Sequence, residues 1–145
     1  MPRSKKILLF NNSRSFDFPP ELAFSNGEIL ESISHTKLLG IIVSTDLKWH
    51  LNTHYIFKRA MSKMWLLRRL KRLDFEPQLI CDYYIKEVRV LAEYCAVVWN
   101  SSLTQFEVRE LEKIQKIALK IILGSQYLNY EHARNIFNLK TLSER

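Results

Sequence analysis

Up to about residue 48, apolar positions come in short runs or alternate with polar ones; after it they recur near every 3.6 residues. Lys6 to Phe10 reads as a short strand, Asn11 to Ser15 as a polar turn, and Pro19-Pro20 as a break that admits no helix. Leu22 to Phe24 and Ile29 to Ile33 flank Asn26-Gly27. That pair predicts a hairpin whose two central residues both take positive φ. Lys37 to Ser44 (KLLGIIVS) reads as one buried strand, with Asp46 opening its exit turn.

The remainder predicts three long helices and a short one. From about Asn52 to Leu73, Ile56, Ala60, Met64 and Leu67 build one apolar stripe, widened by Phe57 and Met61. Pro77 suits the first turn of a second helix running toward Trp99, because its missing N–H would be unpaired there in any case. Thr104 and Glu107 form a capping box for a third, and Gly124 stands where a left-handed terminal residue is wanted. Asn129 caps a short helix from Tyr130 to Phe137. The expected fold is α+β, with a small antiparallel β region over 1–48 followed by a helical, bundle-like segment over 49–145. Thr141 and Glu144 make another capping box as the sequence stops, and the first strand starts with no earlier partner. Both features suit a chain cut from a longer design.

Charge sharpens this picture. The 145 residues hold 22 Lys+Arg against 15 Asp+Glu, a net +7. Lys58, Arg59, Lys63, Arg68, Arg69, Lys71 and Arg72 fall between Trp49 and Leu73 with no acid among them, so the excess sits on one helix. At about 100° per residue, Lys58, Trp65, Arg69 and Arg72 share a sector about 60° wide, with Ser62 beside it. Guanidiniums around an indole suit a nucleic-acid strand, where cations meet phosphates and the ring stacks on a base. The alternative is a solvated helix face with Trp65 tucked against a neighbouring element.

Other chemistry is scarce. Three separated glycines exclude a G-x-G-x-x-G or Walker loop, and four scattered aspartates supply no local two-metal motif. His50 and His54 are spaced i, i+4 but lack the ligands that accompany such pairs in zinc sites. Glu87 and Glu93 project to different sides of a helix, which denies them an acid–base pairing. Cys81 and Cys95, 14 apart on what reads as one helix, would stand about 21 Å apart, beyond disulfide reach. That favours a reduced, intracellular chain, nuclear or cytoplasmic. No apolar run approaches the about 20 residues of a membrane span. No catalytic residue, metal site or cofactor is expected.

The order of short motifs is familiar. Lys6 to Phe10, Lys37 to Val43, Asp46 to Trp49 and Asn52-Thr53 precede Lys58 to Ala60, Leu66 to Leu70, Glu93-Tyr94, Val98-Trp99 and Glu112 to Lys116. This resembles the end of the palm and the following thumb-like helical region of non-LTR retrotransposon reverse transcriptases. The resemblance implies that Leu39-Gly40 corresponds to the segment that helps hold the primer end. It implies that the helices after Asn52 correspond to the region flanking the template–primer duplex. The family's catalytic aspartates lie upstream of this stretch and have no counterpart in it. The resulting expectation is a truncated, retrotransposon-derived protein that is not itself a polymerase. It would bind RNA or DNA weakly and without sequence preference through the Lys58 to Arg72 helix, with no membrane partner. Two rival readings are a structural or interaction module that self-associates through its long helices, and the accessory half of a polymerase encoded upstream.

Overall fold

The computed structural model describes residues 5–10, 22–142 and 144. The turn expected at Asn11 to Ser15 and the break at Pro19-Pro20 lie outside them. The chain is α+β and divides into two compact units, Met1–Asn52 and Thr53–Arg145.

The first unit carries the strands. β1 (Lys6–Ile7), β2 (Leu22–Ala23) and β3 (Ile29–Ser32) form a sheet in the order β1-β3-β2. β2 pairs antiparallel with β3, whereas β1 pairs parallel, an exception to the expected antiparallel region. The first strand is also shorter than the expected Lys6 to Phe10. The β2–β3 hairpin has a three-residue loop, not the two-residue one that Asn26-Gly27 predicts. Phe24 N donates to Glu28 O and Gly27 N to Phe24 O, both at 2.9 Å, and Gly27 alone takes positive φ, at +82°. Asn26 keeps negative φ and its side-chain oxygen accepts the Glu28 amide at 3.1 Å, closing the loop from the other side.

The run from Lys37 to Ser44 is a second hairpin, not one buried strand. β4 (His35–Leu38) and β5 (Ile41–Ser44) pair antiparallel, with Leu38 opposite Ile41. Leu39 (φ +47°) and Gly40 (φ +89°) both take positive φ, as a two-residue primed turn requires. Asp46 ends β5 by accepting the Ser44 hydroxyl at 2.6 Å and the Lys48 amide at 3.0 Å. These bonds favour the carboxylate and hold Asp46 below its usual range.

Helix α1 (His50–Arg72) follows. The side-chain oxygen of Asn52 accepts the Ile42 amide at 3.1 Å, which ties the first helical turn to β5. The unit boundary accordingly falls after Asn52 instead of after residue 48. Ile56, Ala60, Met64 and Leu67 are buried, as their spacing predicts. Asp74, at φ +60°, stops the helix: its amide donates to Lys71 O and that of Phe75 to Leu70 O, at 3.1 and 3.3 Å. These are the paired bonds of a Schellman terminus, with aspartate where glycine is usual.

The second helix departs most from expectation. α2 (Pro77–Tyr83) widens into a π turn over Tyr84–Arg89, narrows to α3 (Val90–Glu93), and breaks. Tyr94 is extended, Cys95 is left-handed at φ +53°, and α4 (Ala96–Trp99) begins again. The Tyr94 carbonyl left over at the break accepts the indole N–H of buried Trp99 at 3.2 Å. Cys81 and Cys95 are therefore not on one continuous helix, so the separation expected from helical rise does not apply. Both are free thiols.

α5 (Gln105–Leu123) opens with the predicted capping box complete. It ends at Gly124, whose φ of +56° and ψ of −120° lie outside the expected left-handed helical region. α6 (Tyr130–Ile136) begins with Asn129 Oδ1 accepting the His132 amide at 2.8 Å. The core of this unit gathers Met64, Leu67, Ile80, Tyr84, Val88, Trp99, Ile114, Leu119 and Ile122, all buried. At the other end, Thr141 N donates to the Glu144 carboxylate at 3.0 Å, half of the expected capping box.

Candidate nucleic-acid interface

The apolar stripe of α1 fixes where its cations stand. With Ile56, Ala60, Met64 and Leu67 buried, the 60° sector of Lys58, Trp65, Arg69 and Arg72 is turned outward, and all four are exposed. Trp65 is 57% exposed, so its indole is not part of the core. Arg59 and Arg68 are exposed on the flanks, and the Arg59 guanidinium stacks 5.5 Å from the centre of the Tyr55 ring.

Two of the expected seven cations are placed differently. Lys63 Nζ is 2.6 Å from the Glu87 carboxylate on the π turn, so its charge is largely spent within the fold. Lys71 is half-buried and leans toward the end of α5: a Cβ added to Gly124 would lie 3.4 Å from Lys71 Cε. Among the described residues, Lys58, Arg68, Arg69 and Arg72 have no ion pair. The face is thus an indole among unneutralised cations on a helix of 23 residues. It presents a field to a polyanion and a flat ring to a base.

Leu39 and Gly40 belong to the other unit, at the tip of the β4–β5 hairpin, where Leu39 is 81% exposed. Nothing in either unit gathers ligands for a metal: among the described residues there is no group of three or more His, Cys, Asp or Glu suited to one. His50 and His54 are exposed. The thiol of Cys81 is pushed up to about 12, chiefly by burial, which keeps it protonated and inert as a nucleophile near neutrality. Among the described residues, no helix is long and apolar enough to cross a membrane.

A polar cluster that the sequence reading missed lies inside the helical unit. Arg89 and Gln115 are buried, and Arg89 Nε donates to Glu93 at 2.6 Å. Tyr84 Oη and Arg89 Nη1 donate to Gln115 Oε1, at 3.1 and 2.8 Å. Gln115 Nε2 donates to Tyr130 Oη and Lys140 O, at 2.9 and 3.0 Å. Glu112 accepts the Tyr130 hydroxyl and, at 3.0 Å, the Leu142 amide. In a regular α-helix Arg89 would stand about 140° around from Tyr84. The wider π turn, with its five-residue repeat, brings both to the inside. A glutamine between Ile114 and Ala118, and Glu112 beside Leu111, were the sequence-level signals for a polar seam.

Comparison of the chain with protein-family models, with curated proteins and with solved structures finds no match.

Proposed function

We propose that the chain is a sequence-independent RNA- or DNA-binding protein of retrotransposon reverse-transcriptase origin, without polymerase activity of its own. One observation carries the binding: Lys58, Trp65, Arg69 and Arg72 share an exposed face of α1 whose cations are unpaired among the described residues. Coulombic attraction to phosphate supplies most of such binding and is indifferent to sequence, while the indole adds stacking that any base can accept. The ancestry rests on the ordered motifs alone. The accessory-half reading is the same surface serving a catalytic region encoded elsewhere.

The test is titration of labelled single strands across salt. With about four phosphates contacted, log K should fall against log salt with a slope of about −3. Arg69→Ala with Arg72→Ala should flatten it by about one to two and weaken all sequences alike. A wild-type chain that binds neither RNA nor DNA at low salt would remove this reading. The interaction-module reading draws on a different surface. Val97, Val98 and Phe106 are exposed, and an open cavity of about 540 Å³ is lined by Ala92, Ala96, Trp99 and Leu111 among others. Salt-insensitive self-association without nucleic-acid binding would favour it.

A further inference from the structure

Helix α5 carries a second line of cations that a count along the chain conceals. Arg109, Lys113, Lys116 and Lys120 recur at intervals of four, three and four, which places them within a sector about 60° wide. All four are exposed. The acids that balance them in sequence go elsewhere in space: Glu107 is buried in the capping box, and Glu112 is held by Tyr130 and Leu142. Glu110 alone is paired with the line, through Lys113. Among the described residues Arg109, Lys116 and Lys120 have no ion pair. Lys116 and Lys120 lie over the rings of Tyr130 and Tyr127, at 5.1 and 5.5 Å from their centres, which limits their wandering.

We propose that this face of α5 is a second phosphate-binding track, engaged by the same RNA or DNA strand that occupies α1. The two helices come near each other at their C-terminal ends through one side chain. Lys71 in the last turn of α1 approaches Gly124, whose amide donates to the Lys120 carbonyl. Lys71 stands about 100° around α1 from Arg72, so a strand on the α1 face turns around the end of that helix, past Lys71, to reach Lys120 and continue along α5. The tracks are about 21 Å (Lys58 to Arg72) and about 17 Å (Arg109 to Lys120) long. Evenly spaced cations match the repeating charge of a sugar–phosphate backbone. A membrane surface is a poorer partner, because the apolar face of α5, from Leu111 through Ile122, is already buried and cannot insert.

The inference rests on the α1 reading, and the two are separable. Binding of short (about 6) and long (about 20 nucleotide) single strands of RNA and DNA is measured across salt. The proteins are the full chain, Lys116→Gln/Lys120→Gln, Arg69→Ala/Arg72→Ala, and the four-fold variant, each checked by thermal melting. The long strand should bind the wild type with a steeper salt slope than the short one. Lys116→Gln/Lys120→Gln should flatten the long-strand slope by about 1.4 and leave the short strand on α1 nearly unchanged. A long-strand affinity and slope equal to wild type in that variant would overturn the second track while leaving α1 standing. Loss confined to the α5 variant would instead overturn α1 as the primary site. It would also remove the shared-strand path. Retained binding in the four-fold variant would overturn both.

Discussion

Arg89 Nη1 donates to Gln115 Oε1 at 2.8 Å, joining the π turn to the middle of α5 inside the helical core. Every polar atom of the Gln115 side chain is engaged, its oxygen by Tyr84 and Arg89 and its nitrogen by Tyr130 and the Lys140 carbonyl. A buried amide in this position defines one register between the helices and fixes the segment around Lys140 against α5. Truncating it would remove four hydrogen bonds at once and leave the Tyr84 hydroxyl without its Gln115 partner inside the core.

Gln115→Leu should therefore lower stability by about 3 kcal/mol although leucine fits the helix and the core chemistry. Arg89→Met should cost a similar amount, and the double variant less than the sum, because each change removes the other's partner. Denaturant titrations of the three variants measure this coupling. Fully additive losses would show that the two side chains act independently.

Alkaline pH should unfold the chain early. Burial raises Tyr84 and Tyr130 well above the usual tyrosine value and Cys81 to about 12. The unfolded chain releases these protons from about pH 8.5 for cysteine and about 10 for tyrosine. Above those values the unfolded state binds fewer protons than the folded one, so stability falls as pH rises. Melting temperatures should decline from about pH 9 upward. Cys81→Ala tests the first part of that decline: it should move the onset toward pH 10.

The legible parts of the fold were those set by local chemistry. The stripe of α1, the Thr104–Glu107 box and the Asn129 cap depend on neighbours within a few residues, and all formed as read. The misread parts depend on distant partners. Leu39-Gly40 looked like mid-strand because its flanks are apolar; cross-strand pairing of His35–Leu38 with Ile41–Ser44 makes it a turn. The break at Tyr94–Cys95 carries no proline or glycine, and its freed carbonyl is matched only once Trp99 folds back. The α1 cations were visible because no acid interrupts them. Those of α5 were hidden by interspersed glutamates, of which Glu107 and Glu112 are engaged elsewhere.

Leu39 sets up a third prediction. A primed turn favours asparagine before glycine, and leucine at positive φ is strained by about 1 kcal/mol or more. Leu39→Asn should stabilise the first unit by about that amount, read in denaturant unfolding. Because Leu39 is largely exposed, little apolar burial is lost in exchange. A destabilised variant would show instead that the leucine side chain contributes packing that outweighs the strain.

Met64 and Trp65 are neighbours on α1 with opposite surroundings, one fully buried and the other 57% exposed. Met64→Ala should remove core contacts and cost about 2–5 kcal/mol of stability, lowering binding only through unfolding. Trp65→Ala should leave the melting temperature close to wild type. If the indole stacks on a base, affinity for single strands should drop by about 1–3 kcal/mol with the salt slope nearly unchanged, since no phosphate contact is lost. Arg72→Ala should do the reverse, flattening the slope by about 0.7. Binding isotherms at two or more salt concentrations, with melts on the same preparations, separate stacking from charge and both from folding. A Trp65→Ala protein that melts normally and binds as tightly as wild type would reduce the α1 face to electrostatics alone.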